Sequence, residues 1–377
     1  MEELEFIFDR LIDRQNICGL KKEAQEISKF IKQKQNILLY APRNFGKTSL
    51  VKNIIIPDFQ KTHKNSFVFF ADLMGVKDLA SINLRLNNAL AVSLKESFPV
   101  TSIFSNIGKY FQNLQPTIGF DQAGQASFSI ASAPQNKEKN IGDIFQTINQ
   151  LNQDYPCLIV IDEFQDISFV EEAESLFRNA FQQISNLSII VLGSKRHLLK
   201  NIFAMPDSPL ANWGKDINID PIDYEEYYDY IVERFEQKGL KIDFELSKYI
   251  QDEMQRVPES INMLCYEIYQ NYKNQEIDAE IVQEMSEQLI DSKRKRFETL
   301  LSVMSIAEEK VAIQIADNDA NLKPQSKEFC QKVNLTARSV KLNIDKLMNQ
   351  GLIDFEEGKY YICDPLFRFY LRKYRVG

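Results

Sequence analysis

Residues 41–49, Ala-Pro-Arg-Asn-Phe-Gly-Lys-Thr-Ser, constrain the fold of this 377-residue chain more than any other stretch. A short apolar run, residues 36–40, precedes them, and a helical apolar pattern follows until Pro57, which we expect to end the helix. A strand, a glycine-containing loop and a helix in this order predict the phosphate-binding loop of a nucleotide-binding α/β domain. The loop departs from that pattern only at its first position, where Ala41 replaces glycine.

The chemistry of this loop is local. Successive backbone N–H groups, together with the free N–H groups at the start of the helix, converge on an anion. Gly46 allows close approach of the backbone, Lys47 places a charge on the β- and γ-phosphates, and the Thr48 hydroxyl is a hard ligand for Mg²⁺. The residues of the loop that we predict to bind nucleotide are Pro42, Arg43, Asn44, Phe45, Gly46, Lys47, Thr48 and Ser49.

A second diagnostic stretch is residues 157–166, in which five apolar residues lead into Asp162 and Glu163. Such a run predicts a buried strand that delivers two acids to the carboxyl edge of the sheet, where ligands of open α/β sheets bind. Asp162 would hold Mg²⁺, and Glu163 would act as the general base for the attacking water. Lys47 and Asp162 are 115 positions apart, and an inserted β-hairpin at about residues 100–140 accounts for the excess length. The hairpin is either a tolerated excursion or a contact for a partner.

Ser194 follows another buried strand, residues 187–193. Its hydroxyl could bond the γ-phosphate or the water, which would make it a catalytic residue. It could also cap the helix that begins at residue 195, and the two roles are compatible. The chain before the phosphate-binding loop predicts a short helix over residues 1–15 and a longer one ending near residue 33.

The C-terminal third is helical and ends in a helix-turn-helix with a two-stranded wing over residues 326–362. Arg338, Lys341 and Lys346 on its third helix could meet DNA phosphates, whereas Asp345 and the acidic wing tip, residues 356–357, favour a protein contact. Residues 292–377 carry 16 Lys and Arg against 11 Asp and Glu, while the whole chain has a net charge of −8. This asymmetry permits nucleic-acid contact at one end only.

Composition restricts the remaining classes. A hydrophobic fraction of 44% and a charged fraction of 26% are typical of a soluble globular protein. We expect a cytoplasmic protein without a membrane anchor, since no apolar run approaches the ~20 residues that span a bilayer and the N-terminus is acidic. Five scattered cysteines and two histidines indicate reduced thiols and exclude a histidine-based metal centre.

Taken in order, these motifs resemble the archaeal-type ATPase family of the STAND branch of AAA+ proteins. Residues 17–23 resemble its base-binding entry, with Leu20 in place of an arginine, and residues 208–215 resemble a segment that usually ends Gly-Arg but here ends in Lys215. Residues 256–258 resemble its Gly-x-Pro lid motif with Arg256 in place of glycine, and residues 362–369 resemble its closing Asp-Pro-Leu-Phe-Arg motif.

The resemblance implies a five-stranded parallel sheet of order 5-1-4-3-2 in residues 1–220, a helical lid in residues 221–291 and a winged helix in residues 292–377. It places Ser194 at the sensor-1 position and Ile17, Cys18 and Pro258 against the nucleotide base. Alternatively, Ile17 and Cys18 belong to an ordinary turn before a helix, and Pro258 simply precedes the start of the next helix.

The expected activity is that of a Mg²⁺-dependent ATP-hydrolysing switch, in which ATP and ADP favour different arrangements of lid and winged helix. No arginine trigger is evident in the chain. A protein partner and nucleotide-dependent self-association fit such a switch. The alternative is a nucleotide-stabilised scaffold or a winged-helix DNA-binding regulator with little turnover.

Overall fold

The computed structural model describes residues 4–98, 107–111, 114–120, 126–131, 139–317, 323–356 and 358–376. The chain forms two compact units. The sheet unit comprises Leu20–Pro42 and Gly46–Asp220, and the helical unit comprises Met1–Gly19, Arg43–Phe45 and Pro221–Gly377. Within the described residues, no helix combines the length and the apolar character needed to cross a bilayer.

The sheet unit contains a five-stranded parallel sheet and a separate antiparallel hairpin. Its strands are, in chain order, β1 (Ile37–Tyr40), β2 (Phe67–Asp72), β3 (Gln115–Phe120), β4 (Ala126–Ala131), β5 (Cys157–Asp162), β6 (Ser188–Gly193) and β7 (Lys215–Asn218). The sheet order is β2-β5-β6-β1-β7, with every neighbouring pair parallel. Counting these five strands alone gives 5-1-4-3-2, which confirms the predicted order.

The central strands are buried on both faces because their sequences are almost continuously apolar. Every residue of β1, β5 and β6 is buried. Parallel pairing of Tyr40 with Gly193 and of Asp72 with Asp162 brings the carboxyl ends of these strands to one edge. The residues that follow those ends therefore form a common edge, where the candidate site lies.

Helices cover the sheet between the strands. In chain order they are α1 (Lys21–Lys32), α2 (Lys47–Leu50), α3 (Ile56–Thr62), α4 (Leu79–Ser97), α5 (Ile107–Tyr110), α6 (Lys139–Leu151), α7 (Ala173–Gln182) and α8 (Arg196–Ala204). Helix α4 begins with a capping box in which Asp78 and Ser81 bond each other's backbone N–H groups.

Pro57 does not end the helix after the phosphate-binding loop, contrary to the prediction. A π-helical turn, Val51–Ile55, joins α2 to α3, and Pro57 occupies the first turn of α3. The first turn of a helix tolerates proline because its N–H groups lack intrahelical partners in any case. The wider π turn thus lets the chain restart a helix at the proline instead of stopping there.

The predicted hairpin is present as β3 and β4, with Ile118 opposite Phe128 and Gly119 opposite Ser127. Its predicted turn, residues 121–124, lies outside the described residues. The prediction of an insertion between β2 and β5 is therefore confirmed in its strands, while its role stays open.

The helical unit continues from the sheet unit as an all-α lid and then a winged helix. Its elements are α9 (Tyr224–Glu236), α10 (Phe244–Glu253), α11 (Pro258–Asn271), α12 (Ala279–Ser302), α13 (Ile306–Ala316), α14 (Lys327–Val333), α15 (Ala337–Gln350), β8 (Ile353–Glu356), β9 (Lys359–Ile362) and α16 (Pro365–Tyr374). Helix α12 runs through the predicted boundary at residues 291–292, and the lid and winged helix share one apolar core. The exact domain limits stay a prediction.

Capping residues close in sequence define the ends of the helices in the winged helix. Ser326 and Thr336 cap α14 and α15 through their hydroxyl oxygens, and Gly351 ends α15 in the left-handed conformation that glycine favours. The wing pairs β8 with β9 antiparallel, from Ile353 opposite Ile362 to Glu356 opposite Lys359. Arg338 and Lys341 are exposed on α15.

The N-terminal segment is irregular from residue 4 to residue 15, so the predicted helix over residues 1–15 is wrong for that part. Side chains of the lid satisfy its backbone instead. The buried Arg234 donates to the carbonyl of Glu5 at 2.9 Å, and Asn262 donates to that of Ile7 at 2.7 Å. These bonds hold the segment against α9 and α11, and they are long-range contacts that local sequence does not encode.

Candidate functional site

Two polar contacts join the start of α2 to the end of β5. The Lys47 ammonium lies 3.2 Å from Oε1 of Glu163, and the Thr48 hydroxyl donates to Oδ2 of Asp162 at 2.8 Å. Lys47 and Asp162 are buried at 6% and 5% exposure. The structure thus brings together the lysine, hydroxyl and two acids that the sequence places 115 positions apart.

The backbone around Gly46 has the form that a phosphate-binding loop needs. Gly46 takes φ 79°, and its carbonyl accepts the N–H of Leu50 at 2.8 Å as α2 begins at Lys47. A side chain at this position would be strained by φ alone, which explains the glycine. The first N–H groups of α2 have no intrahelical partner and are available to an anion.

Glu163 reaches Lys47 through an unusual backbone conformation. It has φ 50° and ψ 39°, in the left-handed region that costs a non-glycine residue about 1–3 kcal/mol. Its N–H donates to Oδ1 of its neighbour Asp162 at 2.9 Å. The two consecutive acids therefore take different roles, with Asp162 on Thr48 and Glu163 on Lys47.

Ser194 belongs to the same cluster. Its hydroxyl donates to Oε2 of Glu163 at 2.8 Å. The interpretation of Ser194 as a helix cap is wrong, since α8 begins one residue later, with Lys195 at its N-cap position and no capping side chain. The hydroxyl instead donates to the carboxylate of Glu163, and a hydrogen bond to a charged acceptor of this kind is stronger than one between neutral groups.

The pKa values of the two acids are shifted in opposite directions. Burial is the largest influence on the pKa of Asp162 and raises it above its ordinary value, although Lys47 opposes the change. Burial acts in the same direction on Glu163, but Lys47 and the hydrogen bonds from Gln165 and Ser194 together lower its pKa. Glu163 is therefore an ionised acceptor at neutral pH.

An aromatic cluster supports the turn that follows the two acids. Phe164, in the 3₁₀ segment Phe164–Phe169, lies edge-on to Phe177 at 5.0 Å and stacks on Phe203. Trp213 stacks on Phe181 at 4.9 Å. These large rings, which are buried except for the partly buried Trp213, fix the position of the chain just beyond Glu163.

The donor set fits Mg²⁺. Thr48 and Asp162 supply a hydroxyl and a carboxylate in contact with each other, and both are the hard oxygen ligands this ion prefers. No group of three or more His, Cys, Asp or Glu side chains among the described residues could hold a metal by itself. Magnesium bound to one or two protein oxygens takes its other ligands from phosphates and water.

The remaining predicted residues lie in the helical unit or at the loop tip. Cys18 Sγ lies 3.8 Å from the carbonyl of Glu226, Ile17 is half-buried, and Pro258 is the buried first residue of α11. Arg43 and Asn44 are exposed and Phe45 is buried. Pro42 and Ser49 flank the loop in the sheet unit. The nucleotide-binding roles of all these residues stay predictions.

Sequence reasoning gave no role to Gln165, Asp166 or Gly193. Gln165 is completely buried beside Glu163, and Asp166 accepts the N–H of Gly75 at 2.7 Å. A Cβ built on Gly193 would lie 2.4 Å from Oε1 of Gln165. The only signal in the sequence was their position, directly after the two acids and directly before Ser194.

Comparisons with known proteins agree with this architecture. A family profile described as a probable winged helix domain matches residues 295–373. No curated protein gives a significant match to the sequence.

Solved structures that match along the whole chain include three archaeal proteins. A Walker-type ATPase of Pyrococcus abyssi is 16% identical, with a TM-score of 0.65 and coverage of 97% of this chain and 99% of that one. The ORC2 protein of Aeropyrum pernix, in ADPNP–ADP complexes, is 11% identical with a TM-score of 0.53, covering 98% and 99%. The ORC1 protein of the same organism, in complex with DNA, is 12% identical with a TM-score of 0.50, covering 98% and 95%. At these identities the likeness shows the fold alone, which is an α/β core with a five-stranded parallel sheet followed by a helical segment and a winged helix.

Proposed function

We propose that the protein is a Mg²⁺-dependent ATPase that works as a conformational switch of the STAND type. The observation that carries this proposal is the pairing of Lys47 with Glu163 and of Thr48 with Asp162 at the carboxyl edge of the sheet. Each member of the four is a group that a nucleoside triphosphate, its metal or its attacking water requires. The alternative, a loop that matches the pattern by chance, offers no reason for both acids to meet it.

Each residue has a distinct role in the proposed reaction. Lys47 and the N–H groups at the start of α2 bind the phosphates. Thr48 and Asp162 would hold Mg²⁺, which would supply positive charge to the phosphates when bound. Lys47 leaves Glu163 when it turns to the phosphates, so one carboxylate oxygen becomes available to a water. Glu163 then accepts a proton from that water as it attacks the γ-phosphorus, and ADP leaves with the bond between the β- and γ-phosphates broken.

The switch itself would involve the helical unit. We assign Ile17, Cys18 and Pro258 to the nucleotide base on the resemblance described above, so that ATP and ADP could favour different arrangements of the lid and winged helix. A ligand changes such an equilibrium only through different affinities for the two states. Mass photometry with ADP and with a slowly hydrolysed ATP analogue tests whether the nucleotide also changes self-association.

Titration calorimetry with Mg-ATP, combined with a phosphate-release assay, tests the proposed function. Lys47→Ala should weaken ATP binding by at least about 100-fold, or about 2.7 kcal/mol, because it removes a positive charge from the phosphates. Lys61→Ala, at an exposed lysine of α3, is the matched control and should bind as the wild type does. Wild-type affinity in Lys47→Ala would overturn the proposal. Tight ADP binding with no turnover would favour the nucleotide-stabilised scaffold.

Duplex DNA is a second candidate ligand. Arg338 and Lys341 are exposed on α15, the helix that winged-helix proteins can present to DNA, and the similar ORC1 protein was solved with DNA. Fluorescence anisotropy at 50 to 200 mM salt tests this directly. If both residues contact phosphates, the Arg338→Ala and Lys341→Ala double variant should reduce the salt slope of binding by about 2. Equal binding by the double variant, or none by the wild type, would contradict the DNA hypothesis.

A further inference from the structure

Gln165 lies completely buried between the ends of β5 and β6, and each part of its side-chain amide has a partner. The amide nitrogen donates to Oε2 of Glu163 and, at 3.3 Å, to Oδ1 of Asp166. The amide oxygen accepts the N–H of Ser194 at 3.3 Å. The opposite orientation of the amide would turn its oxygen toward two carboxylates and its NH₂ toward an N–H group. The surroundings therefore allow a single orientation.

The fold makes room for this side chain and anchors it. A Cβ on Gly193 would lie 2.4 Å from Gln165 Oε1 and 2.3 Å from Leu199 Cδ1, so any larger residue would displace the amide. Asp166, the second acceptor, is itself held by the N–H of Gly75 at 2.7 Å and by Lys195 at 3.8 Å. Gly193, Leu199 and Asp166 thus fix the position of Gln165, and we assign none of these three residues to phosphate binding.

The two oxygens of Glu163 have different partners. Oε1 faces Lys47 at 3.2 Å, whereas Oε2 accepts hydrogen bonds from Ser194 and Gln165. If a triphosphate takes Lys47, Oε1 loses its partner and Oε2 keeps both of its own. Oε1 would then remain directed at the place where Lys47 stood, beside the phosphates.

We propose that Gln165 is a positioning residue for the reaction, which holds Oε2 of Glu163 so that Oε1 is presented to the attacking water. This inference rests on the proposed ATPase function. It predicts an effect on the chemical step and none on nucleotide binding, because the side-chain hydrogen bonds of Gln165 go to Glu163, Asp166 and Ser194. General bases need such a third group to keep them in a productive orientation.

The test is a double-mutant cycle on the full chain. Gln165→Met keeps the length of the side chain but removes its donors and acceptor, and it should lower kcat about 10- to 100-fold with KM and the affinity for ATP nearly unchanged. Gln165→Glu keeps an acceptor for the Ser194 N–H but puts a carboxylate beside Glu163 and Asp166, and it should lower kcat further. Gln182→Met, at an exposed position at the end of α7, should leave kcat unchanged.

The decisive readout is the same substitution in a Glu163→Gln background. If Gln165 acts through Glu163, Gln165→Met should lower the residual kcat of Glu163→Gln by less than about twofold, since residues that act as a unit are not additive. An equal loss in both backgrounds, or a parallel loss of ATP affinity, would show a merely structural role and overturn the inference.

The cycle also separates this inference from the proposed function. Wild-type turnover that Glu163→Gln abolishes, with unchanged kcat in both Gln165 variants, would overturn the role of Gln165 alone. A wild type that binds ATP without hydrolysing it would overturn both.

Discussion

The hydroxyl of Thr48 in α2 and the carboxylate of Asp162 in β5 form a 2.8 Å hydrogen bond, although β6 lies between β5 and β1, the strand that precedes α2. The contact is made across the carboxyl end of β6, which finishes in Gly193 and is followed by Ser194. The three neighbouring strand ends therefore contribute one site, with the groups that we propose to bind phosphate on one side and the acids on the other.

Ser194→Ala removes one of the two donors to Oε2 of Glu163. We expect turnover to fall about 10-fold, with ATP affinity unchanged, because the general base loses part of its orientation. Ser188→Ala is the matched control, since Ser188 is a buried serine at the opposite end of β6 whose hydroxyl has no hydrogen-bond partner within the described chain. Phosphate release and ATP titration measure both variants. Equal activity of the two would contradict the role of Ser194.

Gly193→Ala should both destabilise the protein and lower turnover. The added Cβ would lie 2.3 Å from Leu199 and 2.4 Å from Gln165, and overpacking of this kind costs about 1–3 kcal/mol. Gly142→Ala provides the control, because nothing lies within 4 Å of a Cβ there and the residue is inside α6. That change should stabilise the helix by about 0.5–1 kcal/mol. Urea unfolding of the two variants distinguishes crowding at residue 193 from a general effect of replacing glycine.

Glu308 makes the stability of the winged helix depend on pH. It forms a capping box with Ser305 at the start of α13, and Lys346 of α15 lies 3.6 Å away. The hydrogen bond from the Ser305 backbone, the largest influence, lowers the pKa of Glu308. A depressed pKa means that the ionised form stabilises the fold above the unfolded pKa of about 4.3, and that this stability is lost as the pH falls through the folded value.

Glu308→Gln should therefore lower the free energy of unfolding by about 0.5–1 kcal/mol at pH 7, and the difference from wild type should shrink as the pH falls below about 4.3. Glu309→Gln is the control, since Glu309 is partly exposed and pairs with Arg375 only at 3.9 Å, and it should change stability by less than about 0.5 kcal/mol. Urea unfolding from pH 7 to pH 3 measures both. A difference that persists unchanged at pH 3 would contradict a role for the charge of Glu308.

The strands of the sheet were predictable because each central strand is a short, nearly continuous apolar run in the sequence. The run that forms β5, Cys157–Asp162, is almost wholly apolar and then abruptly acidic, so its nature and its end were both evident. The same held for the winged helix, whose caps and glycine are local signals. The order of the strands came from a family resemblance and not from the residues themselves.

The errors have a common physical origin in tertiary contacts. A π turn lets the helix continue through Pro57, and Arg234 and Asn262 from distant helices bond the backbone of the irregular N-terminal segment. Ser194 does not cap α8, and its hydroxyl donates to a carboxylate 31 positions away. The proposed role of Gln165 requires a glycine at position 193, where a Cβ would collide with the Gln165 amide. No sequence pattern indicates that Gln165 and Gly193 are neighbours in the fold.

The most direct test of the central claim is the fate of ATP on Glu163→Gln. The account predicts that this variant binds Mg-ATP as tightly as the wild type, or more tightly, and that quenched samples contain bound ATP where the wild type contains ADP. The rate of hydrolysis in a single turnover should fall at least about 100-fold, since the proton acceptor is gone while Lys47, Thr48 and Asp162 remain. Hydrolysis by Glu163→Gln at the wild-type rate would contradict the assignment of the general base and, with it, the proposed mechanism.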